Sequence, residues 1–182
     1  LATPVTDFVQ KEPTQGAPPT DAMEVRFAYD ERAFYVGARM HSTNARGVQA
    51  PLGRRDIVDQ AERLLIGLDT FFDRRTSVVL GVTAAGVRLD RFHGTDTEET
   101  FDATYDLVWD TATTIDSDGW SAEIWIPFAQ LRFNPVDDLT WGLNIQRFRP
   151  TLNEEDDWVL IPRTVRAWSS HFGELKGVSD VP

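Results

Sequence analysis

Residues 108–148 constrain the fold more than any other part of the chain. They contain V-W-D-T-A, then D-G-W-S-A-E-I-W-I-P-F-A-Q-L-R-F, then W-G-L-N-I-Q-R-F. Trp120, Ala122, Ile124 and Ile126 fall on one face of an extended chain, and Ser121, Glu123 and Trp125 on the other. A period of two marks a half-buried antiparallel strand. Pro127 has no amide proton to give a ladder, so the strand ends there. Trp141, Leu143 and Ile145 repeat the alternation after a short turn. A chain built on this pattern is all-β.

The same period recurs upstream. Strands are expected over 24–29 and 34–40, joined by a turn at Asp30-Glu31-Arg32, then over 64–68, 78–82, 87–92 and 107–113. Short closing strands are expected at 158–161 and 173–178, one helical turn at 128–133, and loops at 43–59, 93–105 and 153–157. Residues 1–20, rich in Pro, Thr and Gly, read as an extended lead-in whose Phe8 and Val9 pack on the body. Strand spacing and turn signals predict a single-domain antiparallel β-sandwich, jelly-roll-like, over 21–182. A length of 182 residues suits one core. The net charge of −11 opposes a phosphate backbone, so nucleic acid is excluded as a partner class. With no cysteine, disulfides, thiolate zinc and cysteine nucleophiles are excluded within these residues. No apolar run approaches the length of a membrane helix, and no leader pattern opens the chain. Its start at Leu1 is read as a processed protein or an excised domain.

The order of motifs resembles the family 9 carbohydrate-binding domain, in particular the subgroup that precedes a predicted outer-membrane β-barrel in bacterial proteins. The likeness runs from Phe8, Gln10, Pro13, Gly16 and Pro18 through V-R-F-A-Y-D, F-Y-V-G-A-R, R-R-D and L-D-T-F-F-D-R-R-T. It continues through the G-W-x-A-E-x-x-I-P and W-G-x-N-x-x-R strands to F-G-E-L-K-G-V. The chain departs from the subgroup at Ala61-Glu62 and at Val82-Thr83-Ala84-Ala85-Gly86. The resemblance implies an exported, non-catalytic module that binds a poly- or oligosaccharide, in the periplasm, at the outer membrane or outside the cell. The partners it implies are an outer-membrane barrel or a catalytic module, fused or associated. The same sandwich without a sugar site, serving as an adaptor of the barrel, is the alternative. A haem-binding electron-transfer domain using Met40 with His93 or His171 is a more distant one.

A sugar presents apolar CH faces to an indole and hydroxyls to polar side chains, so a site needs exposed aromatics beside Arg, Asn, Gln, Asp or Glu. Trp109, Trp120 and Trp141 share faces with aliphatic residues and are expected in the core. Trp125 lies opposite Ile124 and Ile126, Trp158 follows acidic residues, and Trp168 sits in a polar stretch, so these three are the candidate platforms; packing under loops is the alternative. In relatives two aromatics clamp a terminal sugar, one of them near the C-terminus, and by that resemblance Trp168 is the nearest match. Arg75, Arg91 and Arg147 are the expected hydroxyl-gripping forks, with pairing to carboxylates as the alternative. Calcium takes six to eight oxygens, commonly from acidic loops. Asp96, Glu98 and Asp102 are the expected ligands of a structural calcium, and the resemblance raises that expectation. The three histidines show no metal-site spacing, and no Ser-His-Asp elbow or phosphate loop is present.

Overall fold

The computed structural model describes residues 2–44, 47–56 and 58–181; parts of the 43–59 loop lie outside the described residues. Among the described residues, eleven strands form two antiparallel sheets. They are β1 (Val9–Glu12), β2 (Met23–Tyr29), β3 (Ala33–His41), β4 (Arg63–Asp69), β5 (Ser77–Thr83) and β6 (Arg88–His93). The remainder are β7 (Asp110–Asp116), β8 (Gly119–Pro127), β9 (Asp138–Arg149), β10 (Glu154–Asp157) and β11 (Gly173–Ser179). The smaller sheet has the order β2-β3-β8-β7, and the larger β1-β10-β9-β4-β5-β6.

Alternation decides which side chains face inward. Leu64, Ile66 and Leu68 on β4, Leu80 and Val82 on β5, and Trp141, Leu143 and Ile145 on β9 meet Phe34, Met40, Trp120, Ile124 and Ile126 from the smaller sheet. Each large apolar side chain removed from water contributes about 1.5–3 kcal/mol. Phe34 packs edge-on against Trp141, with centroids 5.5 Å apart at 65°. At the β7–β8 turn Gly119 has φ +135°, and a Cβ there would run into the Met40 carbonyl, so only glycine closes this hairpin.

β9 is the organising strand. β4 pairs along one edge, while β11 and β10 share the other, covering Asp138 to Leu143 and Gln146 to Arg149. The gap between them is bridged by the Asn144 side chain. Its Oδ1 accepts from the amides of Ile145 and Val159, each at 2.9 Å, and its Nδ2 donates to the Val159 carbonyl at 3.0 Å.

The all-β sandwich is as expected from the sequence, and so are the strand positions from β2 to β6, β8, β9 and β11. The differences are local. β7 begins at Asp110 rather than 107, because Leu107 and Trp109 are drawn to the buried Asp90 carboxylate by an amide and an indole hydrogen bond. The acidic residues expected as a loop at 153–157 form β10, and 158–161 is not a strand. The lead-in supplies β1, and its Val5 bridges Val25.

Candidate functional site

The outer face of the larger sheet carries the polar side chains that alternate with the core. β6 presents Arg91 and His93, β4 Arg63 and Leu65, β9 Gln146 and Phe148, and β10 Glu155 and Asp157. Two loops rise from this floor. Residues 94–102 follow β6, and 158–172 connect β10 to β11. Between them lies a cleft of about 700 Å³, lined by Lys11, Thr97, Glu98, Glu155, Arg163 and Arg166 among others.

The 158–172 segment is anchored at its far end. Trp168 and Phe172 pack with Val79 and Ile161, and the Trp168 ring lies 4.4 Å from that of His93. The Phe172 ring approaches the sheet so closely that a Cβ on Gly67 would sit 2.9 Å from it. Asp96 clasps the two loops together. It accepts from the amides of Trp168 at 2.8 Å and Ser170 at 3.0 Å, and from the Ser170 hydroxyl at 2.6 Å. Although partial burial opposes it, these bonds hold the Asp96 carboxyl below the usual carboxylate range.

The near end of the cleft is a charge network. Lys11 Nζ reaches Glu98 at 2.8 Å and Glu155 at 3.2 Å, and the Gln146 amide donates to the same two carboxylates. Burial pulls the Lys11 ammonium down, but Glu155 and Glu98 together outweigh it and leave it raised to about 12. Asp157 lies behind them, fully buried, with no hydrogen-bond donor on either oxygen among the described residues. The neighbouring Gln146 is committed to Glu155 and Glu98. Burial first, then the Glu155 charge, push Asp157 up to about 8 against the pull of Lys11.

The expected site residues do not converge. Arg91 is half-buried on the floor, its guanidinium 4.2 Å from the centroid of Phe101. Trp168 is only 3% exposed, so it is no open platform; Val79, His93 and Phe172 cover it because the closing segment folds back over the sheet. Arg147 points inward rather than into a cleft. It is fully buried between the sheets and paired with Glu62 at 2.6 Å, and the Trp120 indole donates to the same carboxylate oxygen at 2.8 Å. Trp158 is a half-buried plug at the β10–β11 gap, its indole directed to Asp7 at 3.2 Å. Trp125 is 40% exposed, but on the smaller sheet, opposite Tyr35 and away from the cleft. Arg75 is exposed in the β4–β5 turn. Met40 is buried in the core among apolar side chains.

The acidic residues expected to hold calcium take separate partners. Asp96 clasps the loops, Glu98 holds Lys11 and Gln146, and Asp102 accepts from the Thr104 amide and hydroxyl. Among the described residues, the carboxylates that gather three together within 4.8 Å are those of Asp56, Asp90 and Asp106, and Arg55 already neutralises two of them. The sequence reading missed Lys11, Glu155, Arg163 and Arg166. Only the outward register of β10 could have singled out Glu155, and β10 itself was not legible.

No protein-family model matches the sequence, and no curated protein matches it either. Solved structures do. A family 9 carbohydrate-binding module from Caldicellulosiruptor kristjanssonii in complex with cellotriose is 19% identical, with a TM-score of 0.65 over 98% of this chain and 85% of that one. The module in complex with glucose gives 18% identity and a TM-score of 0.66, over 98% and 86% of the two chains. A proposed carbohydrate-binding protein from Bacteroides uniformis is 14% identical, with a TM-score of 0.68 over 94% of this chain and 86% of that one. The chain therefore has the fold of the family 9 carbohydrate-binding modules.

Proposed function

We propose that the protein is a non-catalytic carbohydrate-binding module whose ligand lies in the cleft on the outer face of the larger sheet. The observation that carries this reading is the cleft itself: forked guanidiniums, carboxylates and threonine hydroxyls face one open volume of about 700 Å³. Such a mixture of donors and acceptors matches sugar hydroxyls, each of which both donates and accepts. The fold shared with modules solved with cellotriose and glucose supports the same ligand class. An exported location fits this role, and the described residues hold no helix long and apolar enough to cross a membrane.

Affinity electrophoresis through gels containing soluble polysaccharides, with calcium present, tests the reading, followed by calorimetry with glucose and cello-oligosaccharides. At least one polysaccharide should retard the protein. Arg166→Ala and Glu99→Ala, both on the cleft wall, should weaken retention, while Trp125→Ala on the far sheet should not. Unretarded migration through every polysaccharide would refute it.

A further inference from the structure

Trp125 is an exposed large apolar side chain that chain ends and edges do not account for. Among the described residues, the others sit where cover is incomplete by position. Tyr29 ends β2, Ile115 lies on the edge strand β7, and the rest are in turns and loops. Trp125 instead stands 40% exposed within β8, which is paired with β3 on one side and β7 on the other.

Its surroundings make a platform. Directly across the ladder on β3 is Tyr35. Its hydroxyl donates to Asp30 Oδ2 at 2.9 Å, and Asp30 Oδ1 accepts from the amides of Arg32 and Ala33, so the phenol is held in place. Opposite side chains of an antiparallel pair stand about 5 Å apart, which sets the two aromatic residues side by side. The row continues to Ala28 on β2, and the next row on this face has Gly37 and Ala112 flanking Glu123. A Cβ on Gly37 would meet nothing within 4 Å. Ala28, Gly37, Ala112 and Glu123 are all exposed, so no described segment lies over the pair. Two aromatic side chains therefore rise from a floor of small residues.

The charges around them select the ligand. Arg39 is forked onto Asp116 with both bonds at 2.8 Å, and Arg26 lies 3.2 Å from Glu24. Glu123 and Asp110 remain, and neither has an ion pair with a described residue of this sheet. The face is net negative, which opposes a polyanion, while neutral hydroxyls can donate to Glu123 beside the rings. The apolar CH faces of sugar rings stack on exposed aromatics. Openness then decides the physical form of the ligand. A soluble chain turns freely about its linkages and loses that freedom on an open face, whereas a chain packed in a solid is already ordered and presents its rings in a plane.

We infer that Tyr35 and Trp125 form a second site, separate from the cleft, that takes the flat face of an insoluble neutral polysaccharide. This rests on the carbohydrate reading of the protein but not on the cleft as its place.

Depletion of the protein from suspensions of microcrystalline cellulose, chitin and granular starch tests the inference. At least one solid should take it up. Trp125→Ala and Tyr35→Ala should each weaken uptake about threefold to tenfold, the scale of one aromatic stacking contact. Trp125→Phe keeps a ring and should retain most of it, and thermal melts check that each variant is folded. An excess of a soluble polysaccharide that retards the protein in gels should leave it on the solid. If uptake is unchanged in Trp125→Ala, or the soluble polysaccharide strips the protein off, the cleft holds both forms; the inference is then overturned and the carbohydrate reading stands. If no solid takes up the protein, the inference fails, and gel retention decides the cleft independently. If the parent sediments as a dimer and Trp125→Ala as a monomer, a second copy covers this face and a polysaccharide is overturned as its occupant.

Discussion

Glu62 shows how one side chain can organise a sandwich interior. Its carboxylate accepts from Arg147 Nη2 at 2.6 Å, from Arg147 Nε at 3.1 Å and from the Trp120 indole at 2.8 Å, all deep between the sheets. Burying such a pair is close to neutral overall, but removing one partner strands the other. Glu62→Ala should therefore cost about 3–5 kcal/mol in urea denaturation, because it leaves the Arg147 charge and the Trp120 N–H without that acceptor. Glu62→Gln should cost less, since an amide oxygen still accepts. If the alanine variant loses no more than an ordinary surface substitution, the network is not structural. Neither Glu62 nor Arg147 could be placed from sequence. Arg147 shares the β9 face with Trp141, Leu143 and Ile145, so alternation alone points it inward; charge argued the opposite, and the partner 85 positions away decided the matter.

At the scale of elements, β9 depends on a side chain doing the work of a backbone. Asn144 occupies the break between β10 and β11, where neither strand pairs with that edge of β9, and ties the chain at Val159 to it. Asn144→Ala leaves a buried amide unpaired and should destabilise the fold by about 1–3 kcal/mol. Hydrogen exchange should quicken first at Val159 and Ile145, before global unfolding is affected; uniform loss of protection across both sheets would contradict this. β10 itself illustrates where sequence reading stops. Four consecutive acidic residues show no apolar alternation and read as a loop. They form a strand in which two find compensation elsewhere, Glu154 in Thr20 and Arg149 and Glu155 in Lys11 and Gln146, while Asp156 and Asp157 are buried without a hydrogen-bond donor among the described residues. These partners come from distant segments, and no local pattern carries them. Trp168 belongs to the same category. Its polar neighbours suggested exposure, but the 3-10 turn at Ser169–His171, clasped by Asp96, lays the indole on Val79.

For the whole molecule, the buried acids set the pH response. Asp157, raised to about 8 by burial and by Glu155 and Glu98 against the pull of Lys11, retains its proton when folded at pH values where the unfolded chain has released it. Folding then takes up protons between about 4 and 8, and stability falls as the pH rises through that window. Glu155, raised by burial and by Glu98 against Lys11, and Asp156, raised by burial and by Glu154 against Arg147, act in the same sense. Asp21 and Asp116 act oppositely. Asp21 is held low by Arg149 and Thr43 despite its burial, and Asp116 is lowered to about 2 chiefly by the Arg39 fork. Their contribution is present above about pH 4 and is lost as the pH falls further. Thermal stability should accordingly peak near pH 5, as determined by the two opposing sets about 4 and above. Asp157→Asn should raise stability at pH 8 by about 1–3 kcal/mol, the cost of a buried unpaired charge, and flatten the decline. A variant that melts lower than the parent at pH 8 would show that the carboxylate is satisfied there.

Alternation, proline stops and turn residues were enough to establish the β class, most strand positions and the inward placement of Trp109, Trp120 and Trp141, because a period of two is a local property and core burial follows from it. The ordering of strands, the strand hidden in Glu154–Asp157, the burial of Trp168 and Arg147, and the cleft that gathers Lys11, Glu155 and Arg166 were decided only by tertiary structure. The physical reason is that a charged side chain tolerates either water or a distant opposite charge, and the sequence does not say which of these it will meet.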